Sequence, residues 1–142
     1  MRFLKTLAIC LATTLALASG AFAADAPLKA PADVKKALGT LNRVVGHMGR
    51  LIDAKNFDRL SHENEEIVEG AEALEKAIAN EPAAFKTKVQ ALVKKAEAQS
   101  AEVARVGKAD RDEAKARGAL ATLAANVKEV VAVFPADVQP AP

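Results

Sequence analysis

The chain has 142 residues, 51% of them hydrophobic, which is enough for one domain with a core of its own. Beyond Arg2 and Lys5, 18 basic residues balance 18 acidic ones, so no long-range field draws the protein to nucleic acid or to anionic membranes. Tryptophan and tyrosine are absent, and past the first two dozen residues only Phe57, Phe85 and Phe134 are aromatic, so base-stacking surfaces are missing and nucleic acid is not an expected partner.

Residues 1–23 read as a secretory signal peptide: a positive MRFLK, the apolar run TLAICLATTLALASG, and a small-residue cleavage signal at AFA-AD. The apolar run falls short of the roughly 20 residues that span a bilayer, so no membrane insertion is expected after cleavage. Cys10 follows Ile9, where lipoprotein processing wants a small residue, so the only cysteine leaves with the signal. The mature chain then has no disulfide, no thiolate zinc site, no iron–sulfur cluster and no thioether-linked haem. The expected compartment is the periplasm.

A Pro/Ala-rich leader over 24–32 precedes four segments with apolar residues three and four apart. The first segment, about 33–54, carries Val34, Leu38, Leu41, Val45, Met48 and Ile52. The second, about 57–80, carries Phe57, Leu60, Ile67, Ala71, Leu74 and Ile78, with Asn64 filling the gap in register. The third, about 82–106, carries Phe85, Val89, Leu92, Ala96, Val103 and Val106, with Gln99 in the seam and Ser100 beside it. The fourth, about 110–134, carries Ala116, Leu120, Leu123, Val127, Val130 and Phe134. Asn56 and Asn80 are candidate caps for the second and third helices. Gly107 is expected to close the third, Asp110 with Glu113 to cap the fourth, and Pro135 to end it before a mobile tail over 135–142. Four such seams joined by short connections predict an all-α, up-down-up-down antiparallel four-helix bundle over 33–134.

The chain resembles the periplasmic cytochrome c-prime and soluble cytochrome b superfamily. The likeness rests on the signal peptide, four helices of this length, the early-helix Met48, FDRLSHENEEIVEGAEALEKAI in the second helix and GKADRDEAKARGALATL leading into the last. It implies a bundle holding haem, with an axial histidine on the last helix and, in c-type members, Cys-x-x-Cys-His there. The corresponding stretch LAANVKEVVAVF (123–134) has neither cysteine nor histidine, so covalent haem is excluded and axial His/Met haem is not expected. The resemblance is to a haem-less relative.

His47, Met48, His62, Glu65 and Glu66 are the candidate metal donors. His62 precedes Glu66 by four residues, which sets imidazole and carboxylate on one helix face and suits copper or zinc. Met48 lies on the first seam, where methionine is usually core filler, and His47 lies beside it at the core edge. His47 and His62 flank one hairpin turn at similar heights. They share an ion within one chain only if both reach the flank between the first two helices; a second copy is the other route. Asn64 either fixes register or lines a small polar cavity. Gly39, Gly46 and Gly49 thin the first helix and permit close approach of a neighbouring helix or a second subunit, and a homodimer through the first two helices is slightly favoured.

No Ser–His–acid set, phosphate loop or Glu-x-x-His pair points to catalysis, so no enzyme is expected. The leading expectation is a small periplasmic non-catalytic binding or accessory protein, acting through a protein partner or a loosely held copper or zinc ion. A periplasmic electron carrier with non-covalent haem and a ligand-free structural or stress-related envelope protein are the alternatives.

Overall fold

The computed structural model describes residues 27–141; the signal peptide expected over 1–23 lies outside them. Four α-helices account for most of the described chain: α1 (Pro31–Asp53), α2 (Leu60–Ala77), α3 (Ala83–Asp110) and α4 (Glu113–Ala132). Short 3-10 turns at Phe57–Arg59 and Ala136–Val138 precede α2 and follow α4, and no strand occurs among the described residues. Each helix packs on the next in the chain, and α4 returns to α1. In the α1–α2 pair, Leu41 lies against Gly70, Arg43 pairs with Glu66 and His47 pairs with Glu63. Numbers rise along one helix as they fall along the other, so these two run antiparallel.

The seams set this packing. Val34, Leu38, Leu41, Val44, Met48 and Ile52 of α1 are fully buried or nearly so, as are Leu60, Ile67 and Leu74 of α2. Val89 and Val103 of α3 and Leu123 and Val130 of α4 complete the core. Each such side chain removed from water contributes about 1.5–3 kcal/mol. At one end of the molecule the rings of Phe85 and Phe134 meet edge to face, with centroids 5.4 Å apart.

The α1–α2 turn closes α1 with two reversed main-chain bonds, from Asn56 N–H to the Leu51 carbonyl (2.8 Å) and from Lys55 N–H to that of Ile52 (2.9 Å). Lys55 sits at φ 55°, a left-handed position where glycine is usual. Asn56 makes no side-chain cap, and the chain passes through the 3-10 turn before α2 starts.

At the α3–α4 turn the structure departs from the expected boundary. Gly107 does not end α3; the helix runs on to Asp110, and Arg111 takes the left-handed position at φ 49°. Glycine is required at 107 for space, because a Cβ there would run into Leu60 and touch Phe57. The α4 cap moves with the boundary, from Asp110 to Asp112, whose Oδ1 accepts the Lys115 N–H at 3.0 Å. Asp110 instead receives the Lys115 ammonium at 3.1 Å.

Both flanks of the bundle are tied down. In the leader, Lys29 donates its main-chain N–H to Glu81 (2.7 Å) and its ammonium to the Asn80 carbonyl (2.8 Å), while Leu28 packs on the core. Past Pro135, where the composition predicts a mobile tail, the 3-10 turn buries Val138, and Gln139 donates to the Phe134 carbonyl at 2.8 Å.

Candidate functional site

The second helix carries the chemistry, and its inward face differs from the expected one. The buried series is Leu60, Glu63, Ile67, Gly70/Ala71 and Leu74, so Glu63 occupies the core position assigned above to Asn64. Spacing from Leu60 and Ile67 fits Glu63 (three, then four) and Asn64 (four, then three) alike; the inward stripe continues through Gly70 and Leu74, on the side of the helix that Glu63 shares. Asn64 is half-buried, with its side-chain oxygen enclosed and unpartnered. The third helix shows a similar rotation. Val93 and Ser100 are buried, Leu92 and Gln99 stand at the edge, and Gln99 donates across to the Ala119 carbonyl of α4 at 3.1 Å.

Glu63 is the buried ionisable side chain of the core, with 1% of it exposed. Its Oε2 lies 2.8 Å from Nδ1 of His47, which reaches over from α1. An ionised carboxylate only accepts, so Nδ1–H donates to it, and in the neutral ring the opposite nitrogen, Nε2, is then unprotonated. The His47 ring is one-third exposed, and Nε2 has no protein partner among the described residues. Glu63 Oε1 is buried and receives no hydrogen bond. Such an oxygen costs about 1–3 kcal/mol unless something else compensates it.

One turn away on each helix, Glu66 takes the Arg43 guanidinium at 3.0 Å. The other Glu66 oxygen stands 3.6 Å from Nε2 of His62, and Glu65 stands 3.7 Å from its Nδ1. His62 and Glu65 are well exposed, while Glu66 is about three-quarters buried. The α1–α2 flank therefore presents one run of polar groups, from the enclosed Glu63–His47 pair through Arg43–Glu66 to the open His62–Glu65 edge.

Of the five expected donors, four stand on this flank. Met48 is placed elsewhere: its side chain is wholly buried among the core residues, so it belongs to the packing. The two imidazoles engage different carboxylates, His47 with Glu63 and His62 with Glu65 and Glu66. Among the described residues no three histidine, cysteine, aspartate or glutamate side chains converge in a geometry that could hold a metal ion. Any ion gathered here therefore draws the exposed groups together by side-chain rotation.

The haem implied by the family resemblance does not fit the fourth helix. The residues that α4 turns inward over this stretch are Leu123, Val127 and Val130, followed by Phe134, and none has a lone pair for iron. Of the glycines on the first helix, Gly39 has nothing within 4 Å of an added Cβ, Gly46 meets only the Arg50 guanidinium and Gly49 only the Leu120 side chain, so no neighbouring backbone comes close to them within the chain. The tight helix approaches fall at Gly70, against Leu41 and Thr40, and at Gly107.

Elsewhere two carboxyls have shifted proton affinity. Partial burial, then the nearby Glu75, holds the Glu97 carboxyl above the ordinary range, with Lys94 opposing and Glu72 adding to the rise. The Arg105 side chain, bound to both oxygens of Glu102 at 2.7 Å, holds that exposed carboxyl below it. Both lie away from the α1–α2 flank. No helix among the described residues is long and apolar enough to cross a membrane. Comparison with family models, with curated proteins and with solved structures finds no match to this chain.

Proposed function

We propose that this protein is a small exported accessory protein without catalytic function, which captures a copper or zinc ion on its α1–α2 flank. The reading takes the bundle as up-down-up-down and as a haem-less counterpart of cytochrome c-prime, working in the periplasm. The observation that carries it is the clustering of two imidazoles with Glu65 and Glu66 along one flank. Imidazole and carboxylate together are the donor set that zinc and divalent copper favour. Exposed donors that move into place fit a protein that receives an ion and hands it on, since an open site releases its ion more readily than a closed structural one. Pairing of two copies through the first two helices belongs to the same reading, and the open ground at Gly39 leaves room for it.

The test is titration of the mature protein with zinc and with divalent copper, comparing the wild type with His62→Ala and Glu66→Gln. The expected result is one ion per chain in the wild type and at least tenfold weaker binding in each variant. Equal affinity in all three proteins, or no binding in the wild type, would remove the metal site.

A further inference from the structure

Glu63 serves no obvious purpose as a core residue. Its neighbours in the stripe are Leu60 and Ile67, and a leucine or methionine there would fill the volume without the cost of desolvating a carboxylate. One oxygen is spent on His47, and the other is enclosed with no donor. When ionised, this buried group is met through the imidazole ring, the only group among the described residues that contacts it by a hydrogen bond or ion pair. A neutral ring answers it incompletely. A cation on Nε2, whether a proton or a metal ion, answers it fully, because the charge then sits on the far side of a ring whose near nitrogen already donates to the carboxylate.

Metal-binding histidines show this arrangement routinely. The nitrogen not on the metal donates to a carboxylate, which fixes the tautomer, aims the ring and raises the basicity of the ligating nitrogen. Here the half of that arrangement which precedes the metal is already built. Nδ1 is held at 2.8 Å, the carboxylate is immobilised by burial, and Nε2 is reachable from solvent. His62 lacks any such support: its nitrogens face the exposed Glu65 and the largely buried Glu66 at 3.6–3.7 Å, beyond hydrogen-bonding range.

We infer that His47 Nε2 is the anchoring ligand of a divalent transition-metal site on the α1–α2 flank and that Glu63 is its positioning residue, His62 and Glu66 being recruited after the ion is held. This rests on the metal-capture reading and goes beyond it by ranking the ligands and by giving the buried carboxylate its role. Arg43 holds one oxygen of Glu66, so the guanidinium competes with the ion for that carboxylate's charge. Arg43→Gln is accordingly expected to tighten binding several-fold.

The experiment is zinc titration of the full mature chain by calorimetry, with imidazole nitrogens followed by NMR, for the wild type, Glu63→Met, His47→Ala and His62→Ala. Helical content and urea unfolding confirm that each variant folds, and methionine at 63 keeps the core filled. Zinc is expected to shift Nε2 of His47 while Nδ1 keeps its proton, and Glu63→Met is expected to weaken binding about 10–100-fold, the usual effect of losing such a carboxylate. His47→Ala is expected to lose more than His62→Ala. Undiminished affinity in Glu63→Met, or zinc on Nδ1 of His47, overturns the inference even where His62→Ala shows that the flank binds metal. A wild type that binds no zinc overturns both this inference and the reading it rests on.

Discussion

The α1–α2 and α3–α4 interfaces solve the same packing problem with different chemistry. Across α1–α2, charged side chains face each other, Arg43 with Glu66 and His47 with Glu63, and one carboxylate is enclosed. In the α3–α4 pair both helices bury alanines, Ala96 and Ala104 on one and Ala116 on the other. Amide side chains then reach main-chain carbonyls, Gln99 to Ala119 and Asn126 to Lys95, with two exposed ion pairs, Lys95–Glu129 and, beside the turn, Lys115–Asp110. The second arrangement stabilises without exposing any reactive group. The first leaves an imidazole nitrogen aimed and open, which packing alone does not require. This uneven placement of chemistry between two similar helix pairs is what the metal-capture proposal rests on.

The largest expected break of this contrast is His47→Ala. It strands the buried Glu63 carboxylate with neither oxygen paired and is expected to cost about 3 kcal/mol, read as a lower urea midpoint. Glu63→Met is expected to be near neutral, and adding it to His47→Ala to restore most of the loss. Strictly additive effects would mean that the two residues do not act as a pair. At the other interface Gln99→Ala removes one amide-to-carbonyl bond, and the expected loss is only about 1 kcal/mol.

Smaller changes separate glycines needed for space from those that are not. Gly39→Ala and Gly118→Ala, each with nothing within 4 Å of the added carbon, are expected to stabilise the fold by about 0.5–1 kcal/mol in thermal unfolding. Gly107→Ala is expected to destabilise it, since Leu60 must move. The smallest effect is electrostatic. The Glu97 pKa is raised in the folded state, so the native protein binds more protons than the unfolded chain above the ordinary value of 4.5, and stability falls as pH rises through that window. Glu97→Gln removes this slope. It is expected to be slightly more stable than the wild type at pH 7, with the advantage fading below pH 4.5; the carboxyl is mostly solvated, so screening keeps the difference small.

Most of the helical pattern was legible because leucine, isoleucine and valine at three- and four-residue spacing mark a buried stripe whatever lies between them. Where polar residues occupy the stripe, spacing alone does not decide between neighbours. Asn64 and Glu63 fit the spacing from Leu60 and Ile67 equally, and the structure buries Glu63. Of the two polar seam residues expected in α3, Gln99 and Ser100, it is Ser100 that is fully buried. Gly107 read as a helix end because glycine commonly occupies left-handed positions; here it is helical and empty of side chain for the sake of Leu60, while Lys55 and Arg111 take the left-handed sites. No local pattern reveals that, since the constraint comes from another helix. His47 was legible as a half-buried residue at the core edge, but its carboxylate partner sits sixteen residues away across the hairpin and emerges only when the two helices are placed together.

The central claim is that buried Glu63 fixes His47 with its outer nitrogen bare. The most direct test is the long-range proton–nitrogen correlation spectrum of the histidine rings in the metal-free protein at pH 8. The account predicts that His47 carries its proton on Nδ1 and that Nε2 is unprotonated, and that Glu63→Met reverses or mixes this preference. A wild-type His47 protonated on Nε2 with Nδ1 bare would contradict it, because Glu63 would then be donating to the ring as a carboxylic acid and no ligating nitrogen would face outward.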